Sequence, residues 1–116
     1  MKNENVILTF DFSFPGNNIR RPFGSKYLLC QNEKGLFFVA SSYCKKHKDL
    51  FEKFNNYILN VYNAKVIGGG SMYFYGEEKG FVLTDYSTQY GRANHEETKR
   101  LLEKDFPGVS VTIEKD

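Results

Sequence analysis

The sequence has few of the residues that usually carry redox, metal or membrane chemistry. Its two cysteines, Cys30 and Cys44, form no Cys-x-x-Cys pair and have no histidine at zinc-finger spacing, so neither a structural zinc site nor a disulfide scaffold is indicated. Cys44 also lacks the arginine six places on that Cys-x5-Arg phosphatases require. Leu50 stands there, and the thiol reads as an ordinary small apolar residue. Only two histidines are present, His47 and His95, and they complete neither a Glu-x-x-His nor a His-Glu-x-x-His motif, which argues against metal catalysis. No run approaches the roughly 18 apolar residues that span a bilayer. The start, Met1-Lys2-Asn3-Glu4-Asn5, leads into a strand-like stretch rather than the apolar segment of a secretory signal, so a cytoplasmic protein without membrane partners is expected. A formal charge of +2 falls well short of the Lys/Arg density with which counterion release drives nucleic-acid binding. Internal repeats, low-complexity stretches and interdomain linkers are absent as well.

What is present fits one core. A chain of 116 residues is long enough to bury a single hydrophobic core and too short for two, so one domain over 1–116 is expected. With 41% apolar and 26% charged residues it has the balance of a folded, soluble domain rather than a disordered chain. Val6 to Phe12 alternates in the period of a half-buried strand. Phe14-Pro15-Gly16-Asn17-Asn18 and Arg20-Arg21-Pro22 then form the longest loop, before Tyr27-Leu28-Leu29-Cys30 resumes strand character. Asn32-Glu33-Lys34-Gly35 joins it to Leu36-Phe37-Phe38-Val39 as a hairpin.

From about Lys46 to Tyr62 the period changes: Leu50, Phe51, Phe54, Ile58 and Val61 recur at steps of three and four, one face of a helix on a sheet. Lys65-Val66-Ile67 reads as a strand entering Gly68-Gly69-Gly70, and Met72 to Tyr75 pairs with Phe81 to Asp85 as a second hairpin. Asn94 with Glu97 resembles a capping box opening a helix that carries Leu101 and Leu102, and Asp105-Phe106-Pro107-Gly108 stops it. Val109 to Ile113 makes the last strand. The fold class is therefore α+β: a mixed, mostly antiparallel sheet of about six strands with two helices packed on it.

Two segments point to anion chemistry. The helix starting near His47 leaves its first N–H groups unpaired at the positive end of its dipole, and Lys45, Lys46 and Lys48 reinforce that field, although lysines there also serve as a solvated face. Tyr86-Ser87-Thr88-Gln89-Tyr90-Gly91 lies between a strand and the Asn94 cap, where successive N–H groups and the Ser87 hydroxyl can make an anion-binding concavity or simply a turn. The triple glycine lacks P-loop spacing and has a strand after it, so a bulge or a close backbone approach is expected there.

From about Lys26 to Ile113 these residues resemble the fourteen-kilodalton protein phosphohistidine phosphatases, the group that also contains the insect Janus and Ocnus proteins. His47-Lys48-Asp49-Leu50-Phe51-Glu52-Lys53 is similar to the family's His-Ala-Asp-Ile-Tyr-Asp-Lys, Gly68-Gly69-Gly70 to its triple glycine, and Tyr86 to His95 to its Tyr-Ser-Met-Ala-Tyr-Gly-Pro-Ala-Gln-His. The resemblance implies hydrolysis of phosphoramidate P–N bonds without a cofactor or metal, with His47 catalytic as general base or as a transiently phosphorylated nucleophile, and Lys26 an active-site lysine. By the same resemblance Ser87 and Gln89 lie at the phosphate-holding turn, and Tyr86 walls the pocket. N–H groups of Lys48, Ser87 and Gln89 are expected to hold the phosphoryl group. Partners would be phosphohistidine-containing proteins or peptides and phosphate, and the protein a monomer. Val39 and Ser71 stand where the family has arginines, and Arg92 replaces its proline and offers a cation near the turn. Two other readings stand beside this one. A non-catalytic phosphate- or phosphoprotein-binding module follows from the missing arginines. An RNA-binding sheet is faintly echoed by Lys34-Gly35-Leu36-Phe37-Phe38-Val39 and Lys79-Gly80-Phe81.

Overall fold

The computed structural model describes residues 6–11 and 22–115; the expected loop over 14–21, with Arg20 and Arg21, and Phe12 lie outside the described residues. The elements are β1 (Val6–Phe10), β2 (Phe23–Asn32), β3 (Gly35–Ser41), α1 (His47–Asn55), β4 (Lys65–Phe74), β5 (Phe81–Thr84), α2 (His95–Asp105) and β6 (Val111–Ile113). They build one six-stranded sheet in the order β1-β3-β2-β4-β5-β6, antiparallel throughout except for the parallel pair β5–β6. The α+β architecture expected from the patterning is the one observed.

Each strand has side chains on alternate faces, and a helix lies on each face. Tyr27, Leu29, Phe38, Ala40, Met72, Phe81 and Leu83 pack with Leu101 and Leu102 of α2. Leu28, Cys30, Phe37 and Val39 pack with Leu50, Phe54 and Ile58. Burial on both faces explains why the central strands read as unbroken apolar runs. It also places Phe37, Phe38 and Phe81 at 0% exposure, out of reach of any base, so the aromatics that echo an RNA-binding sheet serve as core. Cys30 and Cys44 are buried and not joined in a disulfide, and burial pushes the Cys30 thiol up to about 12.

Three local expectations change. First, the two extended stretches around the triple glycine are a single ten-residue strand, β4, with the glycines at its centre. Leu29 faces Gly68 while Cys30 faces Val66, so Ile67 is the extra residue of a bulge, as the glycine run suggested. Second, α1 does not continue with α-helical phase to Tyr62. Over Asn56–Val61 it passes into π-helix, with the Tyr62 N–H donating to the Tyr57 carbonyl at 2.9 Å. The longer turn shifts the phase, and Val61 faces solvent at 55% exposure instead of joining the buried stripe. Third, only half of the capping box forms. Asn94 Oδ1 accepts from the Glu96 N–H at 3.1 Å, while Glu97 pairs with Arg100 Nε at 2.9 Å. No helix of the described residues is long and apolar enough to cross a membrane.

Candidate functional site

The glycine run makes room for the site. A Cβ on Gly69 would lie 2.9 Å from the His47 ring and 3.0 Å from Ser87 Cβ, and one on Gly68 would lie 2.6 Å from Ala93 Cα. Without side chains there, the segment after the Tyr86 turn zips directly onto β4: Gly69 N–H donates to the Gly91 carbonyl at 3.0 Å and Ala93 N–H to the Gly69 carbonyl at 2.9 Å. That zipper brings the turn beside the start of α1. Between them opens a cleft of about 320 Å³ lined by Lys26, Lys45, Lys46, His47 and Lys48 on one side and Tyr86, Ser87, Thr88 and Gln89 on the other. Residues expected from three separate sequence blocks thus meet in one place.

The His47 ring is half-buried, and its Nε2 lies 2.9 Å from the Gly70 carbonyl. A carbonyl oxygen only accepts, so Nε2 carries the proton and Nδ1 keeps the lone pair. Nδ1 has no hydrogen-bond partner among the described residues. Burial of the ring holds His47 below the ordinary histidine value of 6.5, the Gly70 carbonyl opposes that shift, Lys26 adds to it and Asp85 opposes it. The net shift favours the neutral ring.

Lys26 stands on β2 directly across from Ser71 on β4, and its Nζ donates to Ser71 Oγ at 3.1 Å. Ser71 is 1% exposed and Val39 is fully buried under α1. Neither position supplies a cation, and Lys26 is the ammonium that the floor of the cleft presents. At its rim, Lys46 occupies the N-cap of α1 without a side-chain capping bond. The start of the helix therefore borders the cleft with no N-cap side chain on its first N–H groups.

Several expected residues are placed differently. The Ser87 N–H donates to the Gly91 carbonyl at 3.1 Å, and the Gln89 and Tyr90 N–H groups donate to Ser87 Oγ at 3.2 and 3.0 Å. Ser87 therefore organises the turn rather than offering its own N–H, and the Gln89 N–H is likewise engaged inside it. Arg92 is turned away from the cleft, its guanidinium donating to the Asp85 carbonyl at 3.3 Å and the Glu114 carbonyl at 3.2 Å. It lines a different depression, with Asn94 and Lys115. Tyr86 is 55% exposed at the cleft wall, as expected.

Sequence reading missed two residues. Thr88 lines the cleft and makes no hydrogen bond among the described residues; its place between Ser87 and Gln89 in the motif was the available signal. Asp85 adopts φ +62°, rare for a residue with a side chain, where the chain leaves β5 for the turn. Its carbonyl accepts from His95 Nε2 at 3.0 Å, which fixes the base of the turn.

Residues 14–110 match the Janus/Ocnus family (Ocnus). The chain is 31% identical over 71 residues to the sex-regulated protein janus-A of Drosophila melanogaster, a match covering 60% of this chain and 53% of that protein. The janus-A proteins of Drosophila mauritiana and Drosophila simulans are each 30% identical over 71 residues, with the same coverage. The chain spans about half the length of the curated relatives it matches. On the strength of the match over most of its length, the protein belongs to the Janus/Ocnus family.

Proposed function

We propose that the protein is a metal-independent protein phosphohistidine phosphatase, hydrolysing the P–N bond of phosphohistidine with His47 as general base. The observation that carries this reading is the lone pair on His47 Nδ1 beside an uncapped, lysine-ringed helix start. A helix N-terminus contributes only about 0.3–1 kcal/mol to an anion at an exposed site and up to about 2 when partly buried. Millimolar binding needs about 4 kcal/mol. The helix alone is therefore insufficient, and Lys26 with Lys48 supplies the remainder. The phosphoryl oxygens sit against the first N–H groups of α1, the Lys26 ammonium and the N–H and hydroxyl of Thr88.

Phosphoryl transfer asks mainly for an aligned nucleophile and for donors that hold charge on the transferring oxygens. His47 Nδ1 accepts a proton from water as the water oxygen attacks phosphorus. The P–N bond breaks, and the departing imidazole nitrogen takes up a proton that His47 returns, leaving inorganic phosphate and unmodified histidine. The Gly70 carbonyl fixes the ring in the tautomer this requires, and burial keeps it unprotonated at pH 7.

Phosphorus-31 NMR of a phosphohistidine protein, with chelator present, tests the reading. Turnover by the wild-type protein that is lost in folded His47→Asn supports it. Binding of the phosphoprotein without turnover would replace it with the phosphate-binding module.

A further inference from the structure

On the face of the sheet that carries the cleft, α1 lies over β2 and β3, and the π-helical turn that follows it reaches β4. Past Lys26 and Ser71, the next residues on that face are Gly24 on β2, Tyr73 on β4 and Val82 on β5, which lie side by side in register. No helix of the described residues lies over them. Gly24 is exposed, Tyr73 and Val82 are half-buried, and Tyr75 is 53% exposed. The rings of Tyr73 and Tyr75 stack at 6.4 Å with planes 18° apart. Tyr73 also lies against Gly24, where a Cβ would come within 2.9 Å of its ring.

We infer that this strip, over which no described helix lies, is the docking track for the polypeptide flanking the phosphorylated histidine, an inference that rests on the phosphatase reading. The strip is continuous with the cleft. At about 3.3 Å per residue, Tyr73 lies about 7 Å and Tyr75 about 13 Å beyond the Lys26–Ser71 pair, the span of two and four residues of extended chain. Tyrosines give a peptide broad contact at low entropy cost, with hydroxyls that tolerate different sequences. A single-stranded nucleic acid would also stack on them, but it needs cations along its backbone. Gly24, Tyr73, Tyr75 and Val82 carry no charge, and Lys26 belongs to the phosphate end.

The test compares two substrates, a phosphohistidine peptide of about ten residues and free phosphoramidate, for the wild type, Tyr75→Ala and Tyr73→Ala/Tyr75→Ala, with Tm recorded for each. Tyr75 is exposed, so its replacement leaves the fold intact even if the double variant loosens β4. The expected result is a rise of about tenfold in KM for the peptide in Tyr75→Ala, more in the double variant, with kcat and phosphoramidate turnover within about twofold of wild type. Equal losses on both substrates, or no loss on the peptide, would overturn the docking track while leaving the phosphatase reading in place. Salt-sensitive displacement of the peptide by single-stranded RNA would overturn it as well. Failure of the wild type to turn over either substrate would remove the phosphatase reading itself, and the track with it.

Discussion

The two histidines make the informative comparison, because they sit on opposite faces of β4 at the same glycine. Each has Nε2 directed at a backbone carbonyl, His47 at Gly70 and His95 at Asp85, so each is the same tautomer. They differ at the other nitrogen. His95 is 4% exposed, and its Nδ1 accepts from the Tyr27 hydroxyl, whose oxygen in turn accepts from Thr98 Oγ1 at 3.0 Å. His47 is half-buried and lines the cleft, and its Nδ1 has no partner among the described residues. One imidazole is a closed link in a buried network; the other keeps a lone pair where a ligand can reach it. Residue identity and helix position are nearly the same for both, and the environment of one nitrogen separates a structural role from a chemical one.

Exchange of the side chains should give crossed results. His47→Asn is expected to lower phosphoramidate hydrolysis by about 10²- to 10⁴-fold, the usual contribution of a general base, with stability to denaturant unchanged. His95→Asn should instead lower stability first. A stability loss in the former and none in the latter would break the comparison. The glycines between the rings sharpen it. A Cβ on Gly70 would lie 2.5 Å from His95 Cε1 and 2.7 Å from the Thr84 carbonyl, so Gly70→Ala should cost about 3 kcal/mol in urea unfolding as an overpacked core. Gly69→Ala pushes on the His47 ring instead, and should lower activity by more than its effect on stability would predict. Smaller again, Tyr27→Phe leaves His95 Nδ1 and the Thr98 hydroxyl without a partner, a loss of about 1–2 kcal/mol measurable by the same unfolding. The smallest effect belongs to Arg100→Ala. Arg100 joins Asp11 at 2.8 Å and Glu97 at 2.9 Å on the surface, and its removal should cost less than about 1 kcal/mol.

The sequence carried the architecture because its apolar periods switch: Leu50, Phe54 and Ile58 step by four and Asn94 marks the start of α2, while β1, expected to be half-buried, has Ile7 and Phe10 buried in different core clusters. It carried most of the cleft because His47, Lys26 and the turn from Tyr86 to Gln89 lie in short local motifs. What it could not carry depends on hydrogen-bond bookkeeping across the chain. Whether the Ser87 and Gln89 N–H groups face a ligand or the Gly91 carbonyl and Ser87 hydroxyl is settled by turn geometry. Whether Arg92 reaches the cleft depends on two carbonyls, one of them 22 residues away. The pairing of each histidine with its carbonyl is equally invisible, because Gly70 and Asp85 act through backbone oxygens that any residue possesses. The π-helical turn at Asn56–Val61 left no mark that separates it from a continuing α-helix.

The most direct test of the central claim is an imidazole ¹⁵N NMR titration of the protein, followed with and without inorganic phosphate. The account predicts that His47 at pH 7 is the neutral, Nε2-protonated tautomer. Because burial lowers its pKa, it gains its proton only below the ordinary value of 6.5, so the base form and the activity it supports persist into mildly acidic solution and fall as pH drops further. Phosphate should shift the His47 resonances and leave those of His95 in place. A His47 ring that is protonated at pH 7, carries its proton on Nδ1, or ignores phosphate while His95 responds would contradict the account.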